Sequence, residues 1–112
     1  MHLQSEEIDG DVTRVVLVGA LDFAGTEEIG LKLSVLAESR TRLVIDLEKV
    51  TFLSSMGIRS LLTAAKTIAR RRGKMVLLNP SAIVQKVLQT TGCDGLMPIS
   101  RSLDEAIRLL AA

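Results

Sequence analysis

The stretch that decides the fold runs from Leu43 to Leu62 and reads LVIDLEKVTFLSSMGIRSLL. Its first part, Leu43–Leu47, is a nearly continuous apolar run, which is typical of a strand buried on both faces of a sheet. The pattern then predicts a loop over 48–55 and a helix from about Ser55 to Arg72, because apolar side chains recur there at helical spacing. Gly73 follows a basic last turn and ends this helix. A buried strand followed by an amphipathic helix predicts parallel strand pairing.

The flanking sequence extends this unit in both directions. Before it, an edge strand, an Asp-Gly turn at 9–10 and a Val-rich strand predict a hairpin, and a helix is expected over Thr26–Ser39 with Thr26 as its cap. After it come a strand at 75–78, a helix opened by 79–81, a brief strand, and a last helix capped by Ser102. We therefore expect an α/β fold with a mixed sheet of about five strands and about four helices packed mainly on one face.

The composition argues against several classes of function. The 112 residues include 14 Lys and Arg and 13 Asp and Glu, a formal net charge of +1, so no field of one sign is available to hold nucleic acid or an anionic membrane. Phosphate-binding glycine motifs and metal-ligand spacings are missing. The single histidine, His2, leaves Ser-His catalysis without support, and the single cysteine, Cys93, is expected to be buried. We expect one domain over 1–112 that is not an enzyme and uses no cofactor or metal.

The location expected from the sequence is the cytoplasm. The first residues lack the basic and apolar regions of a secretory signal. The longest apolar runs are far shorter than the roughly 20 residues of a membrane-spanning helix.

The segment Thr51–Ile58 carries the features that most need explanation. It places two serines and a glycine where a loop becomes a helix, and one serine is enough to cap a helix. Capping explains neither Gly57, which costs about 1 kcal/mol relative to alanine within a helix, nor Met56, which is expected to be exposed. The other interpretation is a docking edge with a modifiable hydroxyl. The residue pattern leaves both interpretations open.

The region from Val44 to Leu62 resembles the signature of the STAS domain family. In that family a buried strand ending in Asp-Leu is followed by an aromatic residue and then by Asp-Ser-Ser-Gly or Asp-Ser-Thr-Gly at a helix start. Gly19-Ala20-Leu21-Asp22 is similar to the family's Gly-x-Leu-Asp, and residues 73–79 resemble the strand that follows the signature helix. Aligned on Gly57, the chain has Ser54 in place of the family's Asp and Met56 in place of its second Ser or Thr.

The resemblance implies an anti-sigma factor antagonist of a bacterial partner-switching pathway. In such proteins the first serine of the motif is phosphorylated by the anti-sigma factor, which is itself a serine kinase. Here that serine is Ser55, and release from the kinase by phosphorylation, with a phosphatase as a further partner, is what the family implies. The changed neighbours Ser54 and Met56 keep an alternative open, in which the chain is an unphosphorylated STAS adaptor in a transport or sensory complex.

The resemblance also indicates where the partner binds. A phosphate adds about −1.5 to −2 charges, and a helix N-terminus tolerates an anion, so we expect the partner to sense it while the fold persists. The chain itself is expected to be a monomer or a weak homodimer. The expected contact residues surround the motif: Asp22, Ser54, Ser55, Met56, Gly57, Arg59 and Ser60.

Overall fold

A computed structural model describes residues 1–8 and 10–111 as one open sheet with four helices. The strands are β1 (His2–Ile8), β2 (Val12–Leu21), β3 (Arg42–Leu53), β4 (Lys74–Leu78) and β5 (Ile99–Ser100). The helices are α1 (Phe23–Ser39), α2 (Ser55–Arg70), α3 (Ala82–Thr90) and α4 (Leu103–Ala111), with a short 3-10 helix at Cys93–Gly95. The predicted hairpin turn includes Asp9, which lies outside the described residues.

The five strands lie side by side in chain order, β1-β2-β3-β4-β5. β1 pairs antiparallel with β2, as the predicted hairpin requires, and every other neighbouring pair is parallel. Each of α1, α2 and α3 therefore connects two parallel neighbours. The mixed α/β sheet predicted from the sequence is confirmed.

The core has a large side and a small side. Apolar side chains of α1, α2 and α3, such as Ile29, Leu61 and Leu88, share one buried cluster with alternate residues of the strands. The opposite side holds a smaller cluster in which Leu110 of α4 packs with Val76 of β4. Three helices thus cover one face and α4 covers part of the other, so the expected packing mainly on one face is also confirmed.

Several predicted boundaries were wrong. β3 continues to Leu53, where a loop was expected from residue 48. Its register against β2 shifts twice, and these shifts break the simple alternation by which a strand is recognised in sequence. α1 begins at Phe23 and is capped by Asp22, whereas Thr26 is buried within the helix. α2 ends at Arg70, and Arg72 adopts a positive φ of 65°.

In the C-terminal half, the start of α3 differs from the prediction, whereas the predictions for Ser102 and Cys93 are confirmed. α3 begins only at Ala82, and the side chain of Ser81 caps it by accepting a hydrogen bond from the Val84 amide. Ser102 accepts a hydrogen bond from the amide of Glu105, as the predicted helix cap requires. Cys93 is buried and free, as expected.

Candidate partner-docking site

The predicted site residues lie where the parallel strands β2 and β3 end. Leu21 and Leu53 are register partners and close the two strands. The next residues along the chain are Asp22 and Ser54, which begin the connections into α1 and α2. Because parallel strands end at the same edge of a sheet, the two helix starts lie beside each other. Asp22 follows directly on Leu21, whose carbonyl oxygen accepts hydrogen bonds from Ser54, so Asp22 and Ser54 lie close together.

Ser54 ties the start of α2 to the end of β2. Its amide and its hydroxyl both donate to the carbonyl oxygen of Leu21, at 2.9 Å and 2.6 Å. The same hydroxyl accepts a hydrogen bond from the Gly57 amide at 3.1 Å. Ser54 is therefore the N-cap of α2, and the question of which serine caps the helix is answered.

Ser55 is the first residue of α2, and it is exposed. Among the residues that the structure describes, its hydroxyl has no hydrogen-bond partner. The first turn of α2 contains no acidic residue. An anion at Ser55 would face the free amides and the positive end of the helix dipole without a nearby like charge on its own turn. The position is thus open to modification and electrostatically suited to it.

Gly57 is buried beneath this surface, and it is the one predicted contact residue that the fold places inside. A Cβ atom there would lie 2.9 Å from the carbonyl oxygen of Leu21 and 3.0 Å from a methyl group of Leu53. The glycine lets the first turn of α2 pack against the two strand ends. Its helix-propensity cost, which capping alone left unexplained, has this structural cause.

Asp22 is the N-cap of α1. Its carboxylate accepts a hydrogen bond from the Gly25 amide at 2.8 Å, while the residue as a whole remains exposed. A structural role and surface contact with a partner are therefore compatible at this position.

The remaining predicted contacts lie along the exposed side of α2. Met56 is 40% exposed, as expected, Arg59 is exposed, and Ser60 is half-buried. All three line a groove of about 300 Å³ between α1 and α2. The structure therefore brings six of the seven predicted residues to one surface that extends from the helix starts into this groove.

Comparison with known proteins identifies the family of this fold. The family model of the STAS domain matches residues 3–106. The chain belongs to the STAS domain family.

Relatives of this STAS domain include proteins of known role. The anti-sigma F factor antagonist of Lysinibacillus sphaericus is 31% identical over 94 residues, which span 82% of this chain and 80% of that protein. The anti-sigma factor antagonist SpoIIAA, in its unphosphorylated form, has a TM-score of 0.81 at 28% identity and covers 99% of this chain and 98% of its own. The phosphorylated form of SpoIIAA, a Bacillus cell fate determinant, has a TM-score of 0.72 at 28% identity over 96% and 97% of the two chains.

The substitution of the family's Asp by Ser54 is mild for this STAS domain. Asp and Ser are about equally effective N-caps because each offers a side-chain oxygen to the free amides of the first turn. Ser54 also donates to Leu21, which an ionised carboxylate cannot do. The departure from the motif therefore preserves the helix start.

Two exposed aromatic residues near the site were not predicted. Phe23 is 62% exposed and Phe52 is 50% exposed, although they are the only aromatic residues of the chain. Phe23 directly follows the cap of α1, and Phe52 lies two residues before the cap of α2. Exposed aromatic side chains are enriched at protein interfaces. A signal was present in the sequence, since both phenylalanines lie next to the motif residues in an otherwise aliphatic chain.

Asp46, the acid of the family's Asp-Leu pair, has a structural role on the other face of the sheet. It is 6% exposed, and its carboxylate accepts a hydrogen bond from Arg14 at 2.6 Å and another from the Glu48 amide at 3.0 Å. The hydrogen bond from Arg14 raises the pKa of that guanidinium above its ordinary value. This ion pair satisfies a buried charge and lies apart from the surface that the predicted contact residues form.

The described residues offer little support for other site types. Over 1–8 and 10–111 there is no group of three His, Cys, Asp or Glu side chains that could hold a metal ion. Within the same ranges, no helix is both long enough and apolar enough to cross a membrane.

Proposed function

We propose that this STAS domain is an anti-sigma factor antagonist that acts by binding and is switched by phosphorylation of Ser55. The observation that carries the proposal is the exposed hydroxyl of Ser55 at the first position of α2, which has no hydrogen-bond partner among the described residues and lies beside a cap that Ser54 already supplies. The similarity to the anti-sigma F factor antagonist and to both forms of SpoIIAA supports it.

In this proposal the partner is an anti-sigma factor with serine kinase activity. It binds the unmodified chain in the cytoplasm through the surface around Asp22, Ser54, Ser55, Met56 and Arg59, with Gly57 shaping that surface from below and Ser60 at its groove side. Phosphorylation places a near-dianion at the centre of the contact. The complex must then desolvate an unpaired charge, which costs several kcal/mol, and the kinase is released. A phosphatase restores the unmodified monomer or weak homodimer.

The proposal is tested first by the site of modification. A kinase recovered from the source cell with the tagged chain is purified and incubated with the chain and ATP. Phosphopeptide mapping is expected to find a single phosphate on Ser55. A phosphate on Ser54 or Ser60 would contradict the assignment, because Ser54 is engaged in capping and Ser60 lies more than a turn further along α2.

Binding provides the second test. Titration calorimetry compares the wild-type chain, Ser55→Ala and Ser55→Asp against the same kinase. Alanine removes one hydroxyl and is expected to cost tenfold in affinity at most, since such a group contributes about 0.5–1.5 kcal/mol. Aspartate adds a charge and is expected to cost about thirtyfold or more. Equal affinities for all three would favour an unphosphorylated adaptor, and recovery of transporter subunits in place of a kinase would point the same way.

A further inference from the structure

The groove between α1 and α2 is lined mainly by uncharged residues and by one cation. Its lining includes hydroxyl and small residues of both helices, among them Thr26, Gly30 and Ser34 of α1 and Ser60 of α2. Among the described residues, Arg59 is the only charged one that lines it. Thr26 is 8% exposed, and its hydroxyl has no hydrogen-bond partner in the described part of the chain. The groove thus offers one cation and one unused buried hydroxyl.

Arg59 itself has no ion-pair partner within the described part of the chain. No carboxylate of residues 1–8 and 10–111 lies within ion-pair distance of its guanidinium. The facing helix carries Glu27 and Glu28 near its start, but neither lines the groove, and Glu28 pairs with the N-terminal amine at 3.1 Å. An exposed guanidinium without a partner is available to an external carboxylate or phosphate, which it can bind through two parallel hydrogen bonds.

A phosphate on Ser55 would be a second possible hydrogen-bond acceptor for the Arg59 guanidinium. Ser55 and Arg59 are four residues apart in one helix, so their side chains lie on the same face at neighbouring turns. A phosphate on Ser55 would therefore stand within reach of the Arg59 guanidinium. An acid that lies N-terminal to a base at this spacing is the favoured arrangement on a helix.

We propose that Arg59 pairs with a carboxylate of the partner kinase, borne on a segment seated in the α1–α2 groove, and that phosphorylation of Ser55 withdraws Arg59 from this contact by pairing it with the phosphate. This inference rests on the proposed function and adds a mechanism to it. The phosphate then acts in two ways, because it adds a negative charge and also neutralises Arg59, the only charged residue among the described residues that line the groove. The occupant is acidic, since the described residues of the lining include a cation and no carboxylate.

The intramolecular pair can be tested without any partner. Phosphoserine is incorporated at position 55 during translation, and the second ionisation of the phosphate is followed by ³¹P NMR in the wild-type chain, Arg59→Gln and Lys66→Gln. Lys66 is an exposed base of the same helix that does not line the groove, so it is the matched control. Pairing with Arg59 favours the dianion, and Arg59→Gln is expected to raise this pKa by about half a unit. Lys66→Gln should leave it unchanged, and an unchanged value in Arg59→Gln would overturn the pairing.

The partner contact is tested with the purified kinase and unmodified chains. Arg59→Gln is expected to weaken binding about tenfold, while Lys66→Gln changes it by less than about twofold. In a Ser55→Asp background the loss caused by Arg59→Gln should become smaller, because the aspartate already engages the guanidinium. Equal effects of the two glutamine substitutions would overturn the groove contact. Absence of binding by the wild-type chain would instead overturn the proposed function, and the phosphate titration would still decide the pairing.

Discussion

The two helix starts at the proposed docking surface are built on the same plan. α1 follows β2 and α2 follows β3, and each begins with a cap whose side chain accepts a hydrogen bond from the amide of a glycine three residues later. The pairs are Asp22 with Gly25 and Ser54 with Gly57. Both glycines allow close packing on β2, since a Cβ would clash with the Ala20 carbonyl oxygen at Gly25 and crowd that of Leu21 at Gly57.

The difference lies in the exposed positions that follow the caps. In α1 the first helical residue is Phe23, and four residues later stands Glu27. In α2 the same two positions are Ser55 and Arg59. At these two positions α1 therefore has neither a hydroxyl to modify nor a base to pair with a phosphate, whereas α2 has both. The comparison teaches that the cap and glycine serve the fold, and that the proposed switch depends on two side chains the fold leaves free.

The largest expected effect comes from the shared glycines. Gly25→Ala should lower the free energy of unfolding by about 2–4 kcal/mol, and Gly57→Ala by about 1–3 kcal/mol, because a new methyl group meets a backbone carbonyl in each case. Gly30→Ala is the matched control, since a Cβ there meets nothing within 4 Å, and it should stabilise the chain by up to about 1 kcal/mol. Urea unfolding measures all three. Wild-type stability of both variants would show that neither helix start packs as tightly on β2 as described.

The caps should have an intermediate effect. Ser54→Ala is expected to cost about 1–2 kcal/mol and Asp22→Ala about 1 kcal/mol, since Ser54 donates to Leu21 in addition to capping. Ser55→Ala is the control and should change stability by no more than about 0.5 kcal/mol, because it removes an exposed hydroxyl without a partner. Thermal melts of the three variants measure these losses of stability. A loss for Ser55→Ala as large as that for Ser54→Ala would mean that the roles of the two serines are reversed.

The smallest expected effect is the difference in how much a negative charge stabilises the starts of α1 and α2. Ser55→Asp should leave the fold intact and be more stable than Ser55→Asn by about 0.3–1 kcal/mol, because the helix dipole and Arg59 both favour an anion there. The gain of Phe23→Asp over Phe23→Asn should be smaller, since Glu27 repels the new charge. Urea unfolding at low and high salt checks this, and the gains should shrink at about 1 M salt. Equal gains in α1 and α2 would contradict a contribution from Arg59.

Much of the fold was predictable because its signals are local. The apolar run at 43–47 and the amphipathic pattern after Ser55 each reflect a single element and its period. Exposure of Met56 was likewise predictable from the motif, as was the position at the start of α2 of Ser55, the serine that we propose is phosphorylated. The extent of β3 could not be predicted, because its second half owes its strand conformation to pairing with β2. The register shifts in this pairing and the charged residues at 48–49 interrupt the apolar pattern by which a strand is recognised.

The sequence by itself determined the order of strands and helices, the aliphatic core and the family motif that marks Ser55. Only the tertiary structure decided which serine caps α2, what a side chain at Gly57 would meet and that Arg59 has no partner among the described residues. The physical reason is that each of these depends on groups far away in the chain. The carbonyl oxygen of Leu21 accepts a hydrogen bond from the Ser54 hydroxyl and leaves no room for a side chain at Gly57. These contacts form only when β2 and β3 lie side by side.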